Sequence, residues 1–199
     1  MVGLMGGTFS PIHYGHLLMC ESIREEFNLE KIIFMPARIP PHKTNISIVD
    51  AEHRLNMVRL AIEDNPYFEA SDMEMRRQGA SYTVDTLKEL RSSLPKGKKL
   101  FLIIGADSLV QLSSWYKYQE IFRLATIIVA ARPDTDFSLL NDTIAKFRVE
   151  MDADILMSAH APMNFSSTEI RNRVKKGLSI RYMTPPKVEA YIYENGLYR

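Results

Sequence analysis

Short apolar runs recur along the chain, and between them apolar residues return every three or four positions. Val2 to Met5, "KIIFMP" (31–36), "YFEA" (67–70), "LFLII" (100–104), "TIIVAA" (126–131) and "DILM" (154–157) have the form of short strands, most of them unbroken enough to be buried on both faces. From Gly15 onward, Leu17, Cys20, Ile23 and Phe27 fall on one helical face. Asp50 predicts the N-cap of a helix carrying Leu55, Val58 and Ile62. Thr83 to Leu94 predicts a helix that turns Val84, Leu87, Leu90 and Leu94 inward. Ser166 and Glu169 stand at capping-box spacing ahead of a helix stopped by Gly177. Thr184 predicts an N-cap with Pro185 at the first position of a last helix ending at Glu194. "ARIPPHKTNIS" (37–47) has the proline and polar content of a loop, and "PKGK" (95–98) that of a turn. Apolar strands alternating with helices predict a doubly wound α/β fold: a mostly parallel sheet, helices on both faces, and a C-terminal helical segment.

Composition narrows this picture without redirecting it. At 199 residues, with no internal repeat and no long linker, residues 1–199 are expected to form one domain. A chain of this size buries roughly 70% of its unfolded surface and needs no disulfide or metal to hold its core. Hydrophobic content of 46% and charged content of 25% are those of an ordinary globular protein. A net charge of +1 argues against a general nucleic-acid binder or a polybasic membrane surface. Cys20 is the one cysteine, so no internal disulfide forms, which fits a reducing compartment. No basic stretch followed by an apolar run opens the chain, and no apolar run is long enough to span a bilayer. These features together predict a cytoplasmic protein with no nucleic-acid or membrane partner; its oligomeric state is open, a homo-oligomer included.

Sheets of this class bind ligands beyond the carboxyl ends of their strands, where strand order reverses. That directs attention to Gly6 to His16, Pro36 to Lys43, Gly105 to Ser108, and Arg132. Gly6 and Gly7 predict a sharp backbone turn and close approach of a ligand to the main chain. The helix behind them offers free N–H groups and a positive dipole end, which suit an anion. The pattern is neither G-x-G-x-x-G nor a P-loop. Its distinctive part is His13-Tyr14-Gly15-His16: two imidazoles three positions apart on a first helical turn, with a glycine between them that leaves room for a bulky group. They can donate to a phosphate, or simply cap and pack the helix; a zinc pair has no clustered cysteine or third ligand to complete it. Ser166, Ser167 and Thr168 open a helix with Arg171 one turn on, which is either a second anion site or an ordinary capping box.

These residues resemble a known family. "GGTFSPIHYGH" (6–16) resembles the nucleotidyltransferase signature G-G-[ST]-F-D-P-x-H-x-G-H, and "SSTEIR" (166–171) resembles its second signature, [ST]-S-T-x-[IL]-R. "PPHK" (40–43), "SYTVDTL" (81–87), "GADSL" (105–109) with Trp115 downstream, and "VAARP" (129–133) resemble segments of the bacterial nicotinate-nucleotide adenylyltransferases. The matches come in order from Gly6 to Arg171. One position departs: Ser10 stands where the signature has Asp, keeping a hydrogen-bonding group and a turn preference but not the charge.

The resemblance implies a Rossmann-like fold and adenylyl transfer from ATP to nicotinate mononucleotide, with Mg²⁺ carried on the ATP phosphates. It implies that His13, His16, Lys43 and Arg171 perform the transfer. ATP would lie against Gly6, Gly7, Thr8, Phe9, His16, Gly105, Asp107, Ser166, Ser167, Thr168 and Arg171. The mononucleotide would meet Thr8, Lys43, Tyr82, Thr83, Asp107, Trp115 and Arg132, and no residue is expected to ligate a resident metal. Tyr82-Thr83 opens a helix whose N–H groups can take the pyridine carboxylate; Trp115 can stack on the ring or be a packing residue. Arg132 can meet a phosphate or pair with Asp134 or Asp136, and Asp107 can bind a ribose or cap a helix. Other expectations from the same residues are a different small nucleotidyltransferase, such as pantetheine-phosphate adenylyltransferase, or a nucleotide sensor without catalysis.

Overall fold

Six parallel strands form the centre of the molecule, in the order β3-β2-β1-β4-β5-β6. The structure is a computed structural model, and it describes residues 1–40, 48–159 and 164–199. β1 (Val2–Gly7) lies between β2 (Lys31–Pro36) and β4 (Leu100–Gly105), with β3 (Phe68–Ala70) outside β2. β5 (Thr126–Ala130) and β6 (Ile155–Met157) extend the other side. The chain winds outward from β1 to β3, returns to the middle, and winds outward again, so strand order reverses between β1 and β4.

Side chains alternate between two cores, as the strand period requires. One core takes Leu4, Ile33, Leu102, Ile104 and Val129, covered by α4 (Thr83–Ser93) and α7 (Phe137–Met151) among others. The opposite core takes Phe34, Phe101, Ile103 and Ile128, covered by α1 (Tyr14–Glu26), α2 (Ala51–Ile62), α8 (Ser167–Lys175) and α9 (Pro186–Glu194). Gly3, in the central strand, has its reason here. A Cβ there would sit 3.0 Å from Leu29 Cδ1 and 3.1 Å from both Ile103 Cδ1 and Ile32 Cγ1. Among the described residues no helix is long and apolar enough to cross a membrane.

Several boundaries differ from the sequence expectation. Gly6 and Gly7 do not turn the chain; they prolong β1, paired with Met35 and Pro36. The last helix begins at Pro186 with Pro185 as N-cap, because the Thr184 hydroxyl donates to the Ile12 carbonyl at 2.8 Å instead of capping. The sequence reading also passed over α3 (Met73–Arg76), α5 (Ala106–Val110), a 3₁₀ turn at Leu112–Ser114, α6 (Tyr118–Leu124) and the whole of α7. The first four are too short to show a period. α7 did carry a signal, since Leu140, Ile144 and Phe147 recur at helical spacing behind an Asp136 side chain that caps Leu139 N–H. The expected loop at 37–47 lies mostly outside the described residues, Lys43 included.

Candidate active site

Where strand order reverses, a cavity of about 620 Å³ opens at the carboxyl ends of β1, β4 and β5, a volume typical of small-molecule sites. Gly6 and Gly105 lie on its floor, and a Cβ at either would meet nothing within 4 Å, so both face open space. Gly7 is a glycine for another reason: a Cβ there would lie 2.9 Å from the Phe9 ring. Phe9 makes the turn that the glycines were expected to make, with φ +47° and its side chain buried. Left-handed backbone at a bulky L residue persists only where its surroundings impose it.

The surroundings do so carbonyl by carbonyl. Arg54 donates to Thr8 O at 2.8 Å, Arg171 to Ser10 O at 2.8 Å, Ser167 Oγ to Pro11 O at 2.8 Å, and Thr184 Oγ1 to Ile12 O at 2.8 Å. The second signature is thus bonded directly to the first. Its hydroxyls have internal partners: Ser166 Oγ caps Glu169 N–H, and Thr168 Oγ1 accepts from Arg171 at 3.1 Å. Arg171 is held at the cavity wall, while Arg54 is almost fully buried and also donates to Val49 O and Arg38 O.

His13 is the N-cap of α1, and His16 stands in its first turn. The two rings stack, with centroids 3.7 Å apart and planes 18° apart. The His13 backbone N–H donates to His16 Nδ1 at 3.3 Å, which places the proton of a neutral His16 ring on Nε2. His13 is 6% exposed, and its Nδ1 has no hydrogen-bond partner among the described residues. Burial, helped by the nearby Arg132 charge, lowers its pKa to about 4, so the ring is neutral at pH 7. Gly15 does not make room for a ligand as expected. Its missing Cβ makes room for Phe165 Cβ, which would be 2.9 Å away, and for the His13 ring.

At the other end, Tyr82 is the N-cap of α4 and Thr83 its first residue. The Tyr82 ring packs on Tyr116 at 4.5 Å, and Trp115 is partly buried against the core at the cavity wall. Ser81 N–H donates to Ile39 O, and its hydroxyl accepts Arg38 N–H at 2.9 Å, which ties the start of α4 to the segment after β2. Buried Glu74 accepts from Thr86 and lies 3.7 Å from Arg77; burial pushes its carboxyl up. Arg132 pairs with neither Asp134 nor Asp136. Because β4 and β5 are neighbours, it meets Asp107 across their ends at 3.5 Å. Asp107 is not an N-cap either; Gly105 holds that position in α5.

All the sequence-predicted site residues within the described residues therefore line one cavity: the Gly6-to-Phe9 turn, both histidines, Gly105 and Asp107, Tyr82, Thr83 and Trp115, Arg132, and Ser166 to Thr168 with Arg171. Lys43 lies outside the described residues. Phe165, Tyr116, Glu74 and Arg54 were missed. An aromatic just before "SST" and another just after Trp115 were signals at hand; nothing local marks Glu74 or Arg54. The walls offer imidazoles, hydroxyls, guanidinium groups and helix N-termini, which suit anions, beside the Asp107 and Glu74 carboxylates. Among the described residues no group of three or more His, Cys, Asp or Glu side chains could hold a metal ion.

Residues 4–173 match the cytidylyltransferase-like family. A protein of Lachnoclostridium phytofermentans named "Probable nicotinate-nucleotide adenylyltransferase" is 42% identical over 197 residues, covering 99% of this chain and 98% of its own length. One of the same name from Moorella thermoacetica is 43% identical over 198 residues, covering 100% and 91%. This chain belongs to the cytidylyltransferase-like family, among the nicotinate-nucleotide adenylyltransferases. The fold agrees with that placement. The Plasmodium falciparum nicotinic acid mononucleotide adenylyltransferase complexed with NaAD superposes with a TM-score of 0.78 at 20% identity, over 99% of this chain and 96% of its own. The family's two signatures are the segments that meet through Arg171, Ser167 and the carbonyls of Ser10 and Pro11.

Proposed function

We propose that this chain transfers the adenylyl group of ATP to nicotinate mononucleotide, giving deamido-NAD and pyrophosphate. The observation that carries the proposal is the direct bonding of the two signature segments around one cavity whose far end is Tyr82, Thr83 and Trp115. A mononucleotide phosphate oxygen attacks the α-phosphorus of ATP in line. A P–O bond forms there while the bond to the bridging oxygen breaks, and pyrophosphate departs with the bonding pair. The nucleophile is already an anion, so no general base is needed, and the protein's work is alignment and charge stabilisation. Mg²⁺ enters with ATP as part of the substrate, held by its phosphates and water.

His13, a neutral imidazole, and His16 meet the phosphates as hydrogen-bond donors, with Arg171 supplying charge from the second signature. Lys43, which follows β2 in the sequence, is assigned to the same transfer. Gly6, Gly7, Thr8, Phe9, Gly105 and Ser166 to Thr168 surround the nucleotide. Free N–H groups at the start of α4 take the pyridine carboxylate, Trp115 stacks on the ring, and the Asp107–Arg132 pair lies where the mononucleotide's ribose and phosphate arrive. The test is one assay of pyrophosphate release from Mg-ATP with three acceptors side by side: nicotinate mononucleotide, nicotinamide mononucleotide and phosphopantetheine. Turnover with the first and a markedly lower kcat/KM for the second are expected. Equal kcat/KM for acid and amide removes the carboxylate assignment, turnover with phosphopantetheine alone selects the other adenylyltransferase, and no turnover with any acceptor selects a sensor.

A further inference from the structure

The turn that carries the first signature is held from one more direction. Ser10 is buried, at 5% exposure, and its Oγ lies 3.1 Å from the phenolic oxygen of Tyr198, 188 residues away in sequence. The carbonyl of the same Ser10 accepts Arg171 Nη1 at 2.8 Å, and Arg171 Nη2 donates to Thr168 Oγ1. Any motion of Ser10 is therefore delivered to the guanidinium that the proposed function sets against the ATP phosphates.

The chain after α9 is shaped for this contact. Gly196 reverses it at φ +61°, Leu197 is buried in the core, and Tyr198 itself takes φ +66°. Glycine adopts such a conformation freely; tyrosine does so only where other contacts impose it. Its ring packs against the same core as Phe9 and Ile12, the residues flanking Ser10 and Pro11. Ser10 is also the position at which this chain departs from the signature, with a short neutral hydroxyl that cannot make an ion pair.

We propose that Tyr198 is a positioning residue for adenylyl transfer: its phenol fixes the Ser10 turn, and the Ser10 carbonyl in turn orients Arg171 toward the nucleotide phosphates. This rests on the role given to Arg171 under the proposed function. Burial raises the phenol's pKa to about 12, against the opposing effects of the Ser10 hydrogen bond, Arg171 and Arg54, so the phenol stays protonated across the working pH range.

The experiment is a mutant cycle on the full chain: Tyr198→Phe, Ser10→Ala, the double variant, and Tyr198→Phe in an Arg171→Ala background. For each, kcat and KM are measured by pyrophosphate release, Mg-ATP affinity by calorimetric titration, and folding by thermal melting. Tyr198→Phe keeps the ring and removes one oxygen, so a folded enzyme is expected. A small misplacement of a catalytic group lowers kcat by about 10- to 100-fold, and the acceptor KM should change little. Ser10→Ala should match it, and the double variant should be no worse than either single one, because both break the same link. In the Arg171→Ala background the Tyr198→Phe effect should vanish. Unchanged kcat in Tyr198→Phe, multiplying losses in the double variant, or a full Tyr198→Phe effect without Arg171 overturns the proposal. If the parent binds Mg-ATP but releases no pyrophosphate, the proposed function fails on its own, and the same cycle read in Mg-ATP affinity still decides the role of Tyr198.

Discussion

Gly15→Ala adds a single methyl group at the closest packing point of the site. Its Cβ would lie 2.9 Å from Phe165 Cβ, and 3.1 and 3.2 Å from Nδ1 and Cε1 of His13. Comfortable carbon contacts begin near ~3.5 Å, so the first contact is short by roughly 0.6 Å. Neither neighbour can retreat freely. Phe165 Cβ is fixed to backbone just ahead of α8, whose Ser167 is bonded to Pro11 O, and the His13 ring is backed by His16 at 3.7 Å. Overpacking of this kind costs about 1–3 kcal/mol. Part of that is returned by the better helix propensity of Ala over Gly, up to ~1 kcal/mol. The net loss of folding stability is therefore modest, roughly 0–3 kcal/mol, while the imidazoles are displaced by a fraction of an ångström, which costs about 10- to 100-fold in turnover. Urea denaturation measures the first quantity and steady-state pyrophosphate release the second. A Gly15→Ala enzyme with an unshifted midpoint and kcat within about twofold of the parent refutes the packing argument.

His16→Ala should cost roughly 100- to 1,000-fold in kcat, the scale of a lost oxyanion donor, and near-normal turnover would sink its assignment. His13 gives a pH dependence of known sign. Its folded pKa of about 4 lies below the ordinary 6.5, so the unfolded chain binds the proton first. Its contribution is fully present above pH 6.5 and is lost as pH falls toward 4, by roughly 3 kcal/mol in all. Glu74, with a raised carboxyl, acts in the opposite sense, so the measurement is the difference in stability between the parent and His13→Asn across pH 7 to 4, and a flat difference refutes it. Arg54→Met leaves the carbonyls of Thr8, Arg38 and Val49 without their donor. After relief of the buried charge, a net loss of about 2–4 kcal/mol is expected by denaturation, and a variant as stable as the parent contradicts it.

Much of the site was legible because its elements announce themselves locally. Unbroken apolar runs such as Leu100 to Ile104 marked strands buried on both faces, and their carboxyl ends marked the cavity. The histidines and the Ser166 cap were visible as residue types at fixed spacing. What stayed hidden depends on partners far along the chain. Arg54 sits in an amphipathic helix among Leu55 and Val58, and nothing near it marks a guanidinium turned inward to a carbonyl 46 residues away. Thr184 before Pro185 has every local mark of a cap, yet its hydroxyl is drawn off to Ile12. Gly15 was read correctly as a need for space; which group fills the space depends on Phe165, far along the chain.

The same long-range bonds explain how a flexible kind of segment becomes a rigid site. A connection of six residues between a strand and a helix has few partners of its own, and its carbonyls would ordinarily face water. Here the carbonyls of Thr8, Ser10, Pro11 and Ile12 are each taken by a side chain from α2, from α8, or from the segment before α9. With those acceptors turned into the protein, the histidine and Arg171 side of the cavity is left mainly with donors, while the Asp107 and Glu74 carboxylates lie elsewhere on its wall. An anion is the ligand such a surface is prepared for, and it meets donors already in position, so little of its binding energy goes into ordering them. Because α8 follows β6 and the turn follows β1, the cradle is complete only when both halves of the sheet are in place. The geometry of this turn therefore depends on the fold as a whole, not on one loop.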